Sequence, residues 1–289
     1  MNWVVTLVGA VIVMIILRDV FHTLWHPTRH GGLSRAVMMT LWRLSARGRR
    51  GGGSAGVAGP LGMGCVVAMW AGGVAVGWAM VYWPHMPHGF VFSGELEAER
   101  HSRPVDALYV SLVNLGTLGL GDIAPARDWL RIVAPLEALV GFALLTATVS
   151  WVLGIFPALA RRRTLALRIR QMRRAARETG ETDAGPEAAE LHGLAADIAR
   201  VSVDFAQYPE SYYFHDGSGD TALAGAIGHA AELADRGRRS ADPGVRRAAA
   251  VLAAALDDVA ATLDVRFLRT GGTRCEVLAA YDRDHRGAR

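Results

Sequence analysis

The sequence predicts an all-α membrane protein with a helical second half outside the membrane, and three observations predict it. Hydrophobic residues make up 51% of the 289 residues, and the mean hydropathy is +0.21, which is high for a soluble protein. The apolar residues are concentrated before Ile155. Beyond residue 160 the chain is charged and Ala-rich, and its apolar residues recur at helical spacing.

The first predicted membrane span begins at residue 3. Its apolar run ends at residue 17, and the span has ample length if the helix continues to residue 25. No basic residue precedes the run and no small-x-small cleavage site follows it, so we interpret residues 1–26 as a transmembrane helix rather than a signal peptide. We expect its polar and aromatic end to lie at the membrane surface, with Arg18, His22, Trp25 and His26.

Two further apolar segments are long enough to cross a bilayer. Residues 60–83 contain no charged residue, and Gly73 and Gly77 form a small-xxx-small pair that permits close helix contact. Trp78, Tyr82 and Trp83 are predicted to mark the far interface of this span. Residues 129–159 form the other segment, which ends in three consecutive arginines.

The region between the first two spans, residues 27–59, is predicted to be cytoplasmic. Leu33, Val37, Leu41 and Leu44 recur at helical spacing, which fits either an interfacial helix or an ordinary buried helix. Residues 47–54 are rich in Gly and Arg and predict a flexible linker.

Arginine placement predicts the orientation of the spans. Arginines cluster before residue 60 and after residue 160, so both regions are expected in the cytoplasm and the polar loop of residues 84–103 outside. The N-terminus of the first span is then external. We therefore expect a multi-pass protein of the cell (inner) membrane with a cytoplasmic C-terminal domain.

The segment between the two long spans carries the most informative motif. Residues 106–116 predict a helix of about three turns, with Pro104 suited to its first turn and Gly116 to its end. Such a helix is too short to cross a membrane. The glycine-alternating run Thr117-Leu118-Gly119-Leu120-Gly121-Asp122 follows it directly, which is typical of a re-entrant loop.

This motif suits the binding of a dehydrated cation by backbone carbonyls. Successive carbonyls can face one axis only if the backbone alternates in handedness, and Gly119 and Gly121 tolerate a positive φ. The Thr117 hydroxyl can add a further oxygen. The preceding helix points the negative end of its dipole at the region below, where it favours a cation.

The stretch resembles the pore loop of the potassium-channel superfamily, whose filter reads Thr-Val-Gly-Tyr-Gly-Asp. The resemblance covers about residues 60–160 and implies an outer helix, a pore helix, a filter and an inner helix in a homotetramer. It also implies that K⁺, the permeant ion, is bound by the carbonyls of Thr117, Leu118, Gly119 and Leu120, with the Thr117 hydroxyl completing the lowest site. The resemblance implies passive potassium conduction, with no cofactor.

The sequence departs from the family's pattern at three places. Leu120 replaces the usual filter Tyr, Gly116 replaces a common Thr, and Val110 stands where many relatives carry a Trp that holds the Asp after the filter. The backbone oxygens are unaffected, but selectivity can depend on filter stiffness. A weakly selective monovalent cation channel is therefore the alternative, and Tyr109 is proposed to hold Asp122 instead.

The inner helix supplies the candidate hinge and gate. Gly141 is predicted to be either a hinge or a glycine for close helix packing. Leu145, Val149 and Leu153 follow on its face as candidate pore lining, and Leu153 or Phe156 could form a hydrophobic constriction. Pro157 is expected to end or bend the helix.

Glu137 is an acid within this apolar segment, which makes it a functional candidate. One interpretation has it brace the filter from behind through Asn114 or another group of the pore helix. The other has it reach water at the outer interface or pair with Arg131.

Residues 161–289 predict a small helical bundle. Residues 161–177 are expected to continue the inner helix as a basic helix, and further helices are predicted at residues 186–207, 221–236, 243–267 and 275–284. The aromatic segment of residues 208–215 fits either a ligand or partner surface or a packed connection between helices.

We do not expect an enzyme, because the second half of the sequence contains no recognisable set of nucleophile, base and acid. We expect the lipid bilayer as a partner, allow for an unknown cytoplasmic ligand or protein, and expect no nucleic acid. The alternative outside the channel class is a membrane-anchored sensor or scaffold with a vestigial pore.

Overall fold

The computed structural model describes residues 2–24, 32–48, 58–93, 103–180, 185–216 and 221–285. The described ranges leave out Trp25, His26, residues 49–54 of the predicted linker and residues 94–102 of the predicted polar loop. The helices of the described residues are α1 (Asn2–Leu24), α2 (Gly32–Gly48), α3 (Ala58–Tyr82), α4 (Pro104–Leu115), α5 (Asp128–Glu178), α6 (Ala188–Gln207), α7 (Leu223–Arg238), α8 (Pro243–Leu263) and α9 (Arg274–His285). Two short strands, β1 (Phe90–Phe92) and β2 (Ile123–Pro125), pair antiparallel.

Helices long and apolar enough to cross a membrane occur three times in the described residues: Trp3–Leu24, Ala58–His85 and Asp128–Glu178. The prediction of an all-α membrane protein is confirmed. The first helix continues past residue 17, as its length required, because residues 18–24 keep the helical backbone.

The third of these helices, α5, is longer than its apolar part and runs for 51 residues. The expectation that residues 161–177 continue the inner helix is confirmed. Pro157 was expected to end or bend the helix, and the first alternative is wrong, since α5 continues through it. Proline removes one backbone hydrogen bond, and the burial of Ile155 and Leu159 on either side of it offsets that loss.

The described chain forms two compact units, Met1–Val37 with Met63–Val152, and Met38–Gly62 with Leu153–Arg289. In the first unit α1 packs closely on α3. A Cβ added at Gly9 would lie 2.4 Å from the carbonyl oxygen of Gly77, and one at Gly73 would lie 2.9 Å from Ile16. The predicted small-xxx-small pair therefore does permit close helix contact, with α1 as its partner.

Asp19 is a buried acid of α1 that the sequence reading did not explain. Its carboxylate accepts hydrogen bonds from the backbone N–H groups of Leu33 and Ser34, at 3.0 and 3.2 Å. It also accepts from the Ser34 hydroxyl and from Trp70 Nε1, at 2.9 Å. Asp19 thus satisfies two N–H groups of the first turn of α2, which would otherwise have no acceptor.

The predicted apolar stripe of α2 is not its buried face. Ser34, Met38 and Trp42, at four-residue spacing, are the buried positions, whereas Leu33 and Leu44 are exposed. The leucines that suggested the helix therefore do not mark its buried face, and the choice between an interfacial and an ordinary buried helix stays open. Trp42 stacks on His215 with ring centroids 4.5 Å apart, and an indole at that place fixes which face turns inward.

The loop after α3 is more ordered than its polar composition predicts. β1 pairs with β2 in a register that places Phe90 opposite Pro125, and Phe90 is buried with Met86 against Tyr82 and Leu130. The prediction of a simple polar loop is wrong for residues 84–93. The strands are separated by some thirty residues of sequence, so no local pattern reveals their pairing.

In the second unit, the helices α6, α7, α8 and α9 form the predicted bundle. The aromatic segment is a packed connection, as one of its two interpretations held. Tyr212 is buried and stacks on Phe267 at 4.2 Å. Arg162 of α5 is buried beside it and donates to Asp216 at 2.7 Å and to the carbonyl of Ser211 at 2.7 Å.

Candidate functional site

The six-residue motif adopts an alternating backbone. Positive φ angles occur at Thr117 (54°), Gly119 (58°) and Gly121 (76°), and the leucines between them lie outside this left-handed region. The predicted positive φ at both glycines is confirmed. The positive φ of Thr117 was not predicted. A β-branched residue in this conformation costs about 1–3 kcal/mol, and the conformation persists only when its surroundings enforce it.

The start of the motif is held by the last turn of α4. Thr117 N–H donates to the carbonyl of Asn114 and Leu118 N–H donates to that of Val113, both at 2.9 Å. Gly116 N–H donates to the carbonyl of Leu112 at 2.9 Å. These bonds connect the strained Thr117 to the C-terminal end of the short helix, where the negative end of the helix dipole lies.

The first four carbonyls of the motif accept no hydrogen bond from the described residues. Among the described residues, no hydrogen bond ends on the carbonyl oxygens of Thr117, Leu118, Gly119 or Leu120. The side chains of Leu118 and Leu120 are 64% and 59% exposed. Four successive free carbonyls at membrane depth are tolerated only where they line a cavity or a pathway for water or ions.

The short helix α4 is built as the sequence predicts. Pro104 occupies its first turn, and Asp106 accepts a hydrogen bond from the backbone N–H of Arg103 at 3.0 Å. The helix ends at Leu115 with Gly116 as its C-cap. Its twelve residues cover about 18 Å, which is shorter than the hydrocarbon core of a bilayer.

The end of the motif is tied to its surroundings through Asp122. The Tyr109 hydroxyl donates to the Asp122 carboxylate at 2.6 Å, so the contact suggested by the sequence is present. Ser93, which the sequence reading missed, adds two bonds: its N–H donates to the carbonyl of Asp122 at 2.8 Å, and its hydroxyl donates to that of Gly121 at 3.2 Å. Residues 117–122 are therefore anchored at both ends.

Glu137 lies behind this loop and connects three helices. It is fully buried. The hydroxyl of Tyr82 donates to it at 2.6 Å, the Ser111 hydroxyl lies 2.5 Å from it, and the Asn114 amide donates at 3.4 Å. The contact with Asn114 was one of the two sequence interpretations, and the other, an acid reaching water, is wrong because α3 and α4 cover the carboxylate.

Gly141 of α5 contacts the end of α4 directly. A Cβ added there would lie 2.0 Å from the carbonyl oxygen of Leu115, the last residue of α4. The structure therefore shows the close-packing role that the sequence left open beside a hinge. The contact places α5 immediately behind the residue that precedes Gly116 and Thr117.

Comparison with known proteins matches the part of the chain that holds this arrangement. Residues 64–156 match the model of the family described as Ion channel. That segment is similar to an ion-channel domain.

One curated relative shares part of the chain. It is described as an uncharacterized membrane protein, YdjJ, of Bacillus subtilis (strain 168), and is 26% identical over 146 residues, which are 50% of this chain and 41% of the relative. The match thus spans less than half of that relative's length. No solved structure gives a significant match.

The matched segment ends within α5, and one face of this helix carries the candidate pore lining. The large apolar side chains of this face are exposed in the single chain: Leu145, Val149, Leu153 and Phe156. The opposite face is buried, with Leu144, Trp151 and Ile155 among its residues. The lining and gate roles of the exposed face stay predictions, and the face itself is open, as those roles require.

Besides Ser93, the sequence did not reveal two side chains that contact Glu137 or its neighbours in the matched segment. Tyr82 was interpreted as an interface marker, but it is fully buried and donates to Glu137. Ser111 lies at the centre of α4 and contacts both Glu137 and the carbonyl of Ala75, the latter at 2.9 Å. A polar residue at a buried position of an apolar helix was the available signal, though its partners are distant in sequence.

Proposed function

We propose that this protein is one subunit of a homotetrameric channel that conducts K⁺ passively through the carbonyls of residues 117–120. The observation that carries the proposal is the alternation of positive φ at Thr117, Gly119 and Gly121. It occurs beside four carbonyls to which none of the described residues donates a hydrogen bond. Such a run offers successive oxygens to a dehydrated cation in place of its water. The Thr117 hydroxyl supplies one further oxygen at the inner end.

Potassium selectivity is the finer part of the proposal and depends on the stiffness of the filter. Leu120 and Gly116 lack the hydroxyls that tie related filters to their pore helix. Two other anchors support a stiff filter in this chain: the Tyr109–Asp122 bond at 2.6 Å and the pair of bonds from Ser93. If these anchors do not keep the filter stiff enough to exclude Na⁺, the protein is the alternative, a weakly selective monovalent cation channel.

A fourfold assembly is proposed because one loop supplies only one wall of a cation cage. A cavity of about 560 Å³ lies beside the filter, and its lining includes Val113, Pro125, Ala134 and Ala138. We propose that a neighbouring subunit fills this space. The apolar side chains exposed on α5 would then line the shared pathway or contact other subunits.

The proposed topology follows the arginines. The protein lies in the cell (inner) membrane of a bacterial-type cell. The basic part of α5 and the helical bundle lie in the cytoplasm, and the β1–β2 strand pair lies on the outer side. A cytoplasmic ligand or partner protein is proposed to act on the bundle.

The experiment is reconstitution of the purified full-length chain in liposomes with opposed K⁺ and Na⁺ gradients. Potassium selectivity predicts a reversal potential that follows the K⁺ gradient. A reversal potential independent of the K⁺ gradient would refute potassium selectivity and favour the weakly selective channel. Gly119→Ala and Gly121→Ala should each abolish the flux, because a Cβ at a positive φ strains the filter.

Gly72→Ala is the matched control, since a Cβ at Gly72 meets no atom within 4 Å, and it should conduct normally. Flux that survives both filter substitutions would refute conduction through the motif. The absence of flux from the wild-type protein under all gradients would favour the sensor or scaffold with a vestigial pore.

A further inference from the structure

The basic continuation of α5 lines a small cavity in the second unit. The cavity measures about 300 Å³ and lies between α5 and the first half of α7. Its walls include four arginines of one helix face and two residues of the facing helix: Arg170, Arg173, Arg174, Arg177, Gly225 and His229. The spacing of the arginines, i, i+3, i+4 and i+7, places all four guanidinium groups on the side of α5 that faces α7.

Three of the four arginines carry charge that no acid of the described residues pairs with. Arg173, Arg174 and Arg177 are exposed, and none of them forms an ion pair with another described residue. Two acids lie near the walls. Glu232 pairs with His229 at 2.9 Å, and a carboxylate oxygen of Asp282 lies 3.8 Å from the position of a Cβ at Gly225. The three like charges of Arg173, Arg174 and Arg177 on one helix face repel each other, and an anion of several charges relieves that repulsion.

The facing helix adds a second feature that favours an anion. Ala222, the N-cap of α7, makes no side-chain hydrogen bond to the first turn, and the positive end of the α7 dipole lies at this end of the helix. Gly225 and Ala226 lie in the first turn and leave space that larger side chains would fill. The cavity therefore exists because the two positions that face the arginines are small.

The size and the place of the cavity define the ligand. Arginine binds phosphate oxygens in a bidentate manner, and a volume at the low end of ligand pockets suits a phosphate chain rather than a whole nucleotide. Arg170 and Arg177 follow Arg161, the first arginine after the apolar part of α5, by about 14 and 24 Å along a helix. A headgroup at the membrane surface lies nearer to Arg161, so a soluble source is favoured over a lipid.

We propose that the cavity between α5 and α7 binds the di- or triphosphate group of a soluble metabolite. This site is separate from the filter and is tested without any measurement of ion flux.

The test is isothermal titration of the full-length protein in neutral detergent with inorganic tripolyphosphate. The wild-type protein should bind it saturably, with one site per chain. The double variant Arg173→Gln/Arg177→Gln should bind at least about tenfold more weakly, which corresponds to about 1.4 kcal/mol. Arg174→Gln is a second variant that weakens binding in the same direction, and all three positions are exposed, so the fold should be retained.

The matched control is Arg238→Gln/Arg247→Gln, which removes the same charge from exposed positions outside the cavity and should bind as the wild type does. An equal loss of tripolyphosphate affinity in the control would show that the effect depends only on net charge, and it would overturn the proposal. So would the absence of saturable binding.

A second arm replaces tripolyphosphate by mixed micelles of phosphatidylcholine with phosphatidylglycerol. If only the phosphatidylglycerol micelles bind, and the Arg173→Gln/Arg177→Gln variant abolishes that binding, the ligand is a lipid headgroup and the soluble source is wrong.

Discussion

Replacing Gly141 by Ala tests whether α5 positions the filter by direct contact. The added Cβ would lie 2.0 Å from the Leu115 carbonyl oxygen, 2.9 Å from the carbonyl carbon and 3.2 Å from the Cα. All three atoms are backbone, so no flexible side chain can move aside. Because real Cβ contacts essentially never fall below 3.0 Å, the two helices must separate by at least 1.0 Å at this point.

A shift of that size acts on the residue next to the filter. Leu115 precedes Gly116, and the following Thr117 carries the strained positive φ. Overpacking of this kind costs about 1–3 kcal/mol. We expect Gly141→Ala to lower the thermal stability of the purified protein and to change its K⁺/Na⁺ permeability ratio, because the carbonyls of the filter move with the end of α4.

The assay is the reversal potential in liposomes under opposed K⁺ and Na⁺ gradients, together with thermal unfolding in detergent. Gly72→Ala is again the control, since the same substitution there meets open space. A hinge role for Gly141 predicts a different outcome, in which opening changes while the permeability ratio does not. A Gly141→Ala protein with the wild-type permeability ratio and unchanged thermal stability would refute the packing argument.

Three further predictions follow from the contacts described. Tyr109→Phe removes the 2.6 Å bond to Asp122 and should lower K⁺ selectivity with little loss of stability, measured by reversal potentials and thermal unfolding. Glu137→Ala removes the acceptor of hydrogen bonds from Tyr82, Ser111 and Asn114 and should destabilise the protein by about 2–5 kcal/mol, measured by unfolding in detergent. Glu137→Gln keeps an acceptor and should cost less. Burial lowers the pKa of His285 from 6.5 to about 4, so the unfolded state binds a proton at a higher pH than the folded state does. The free energy of unfolding should therefore decrease as the pH falls from about 6.5 to about 4. The loss is about 3 kcal/mol at most, and a His285→Gln variant should show a weaker pH dependence of its melting temperature, while an unchanged dependence would contradict this assignment.

The elements with strong local signals were predicted well. The apolar runs, Pro104 and Gly116 at the two ends of α4, and the helical spacing beyond residue 160 all depend on neighbours within a few residues. Their helices accordingly lie where the sequence places them, with ends that differ by a few residues. The positive φ of Gly119 and Gly121 was predictable for the same reason, because glycine alternation is itself a local pattern.

The errors concern contacts between distant residues. The buried face of α2 is set by Trp42 against the aromatic cluster that includes His215, and not by the leucine stripe. The β1–β2 pairing and the role of Ser93 depend on strands far apart in the chain. Pro157 was expected to end or bend the helix from its local preference, and α5 continues through it because packing on both sides offsets the lost hydrogen bond.

The sequence by itself determined that this protein crosses a membrane, that a short helix precedes a glycine-alternating loop, and that the loop suits a cation. These conclusions depend on composition, length and backbone conformational preference, which are local properties. Tertiary structure alone decided that Tyr82, Ser111 and Asn114 surround Glu137, and that Gly141 abuts Leu115. A hydrogen bond or a close backbone approach needs both partners in one place, and only the packing of the helices brings them together.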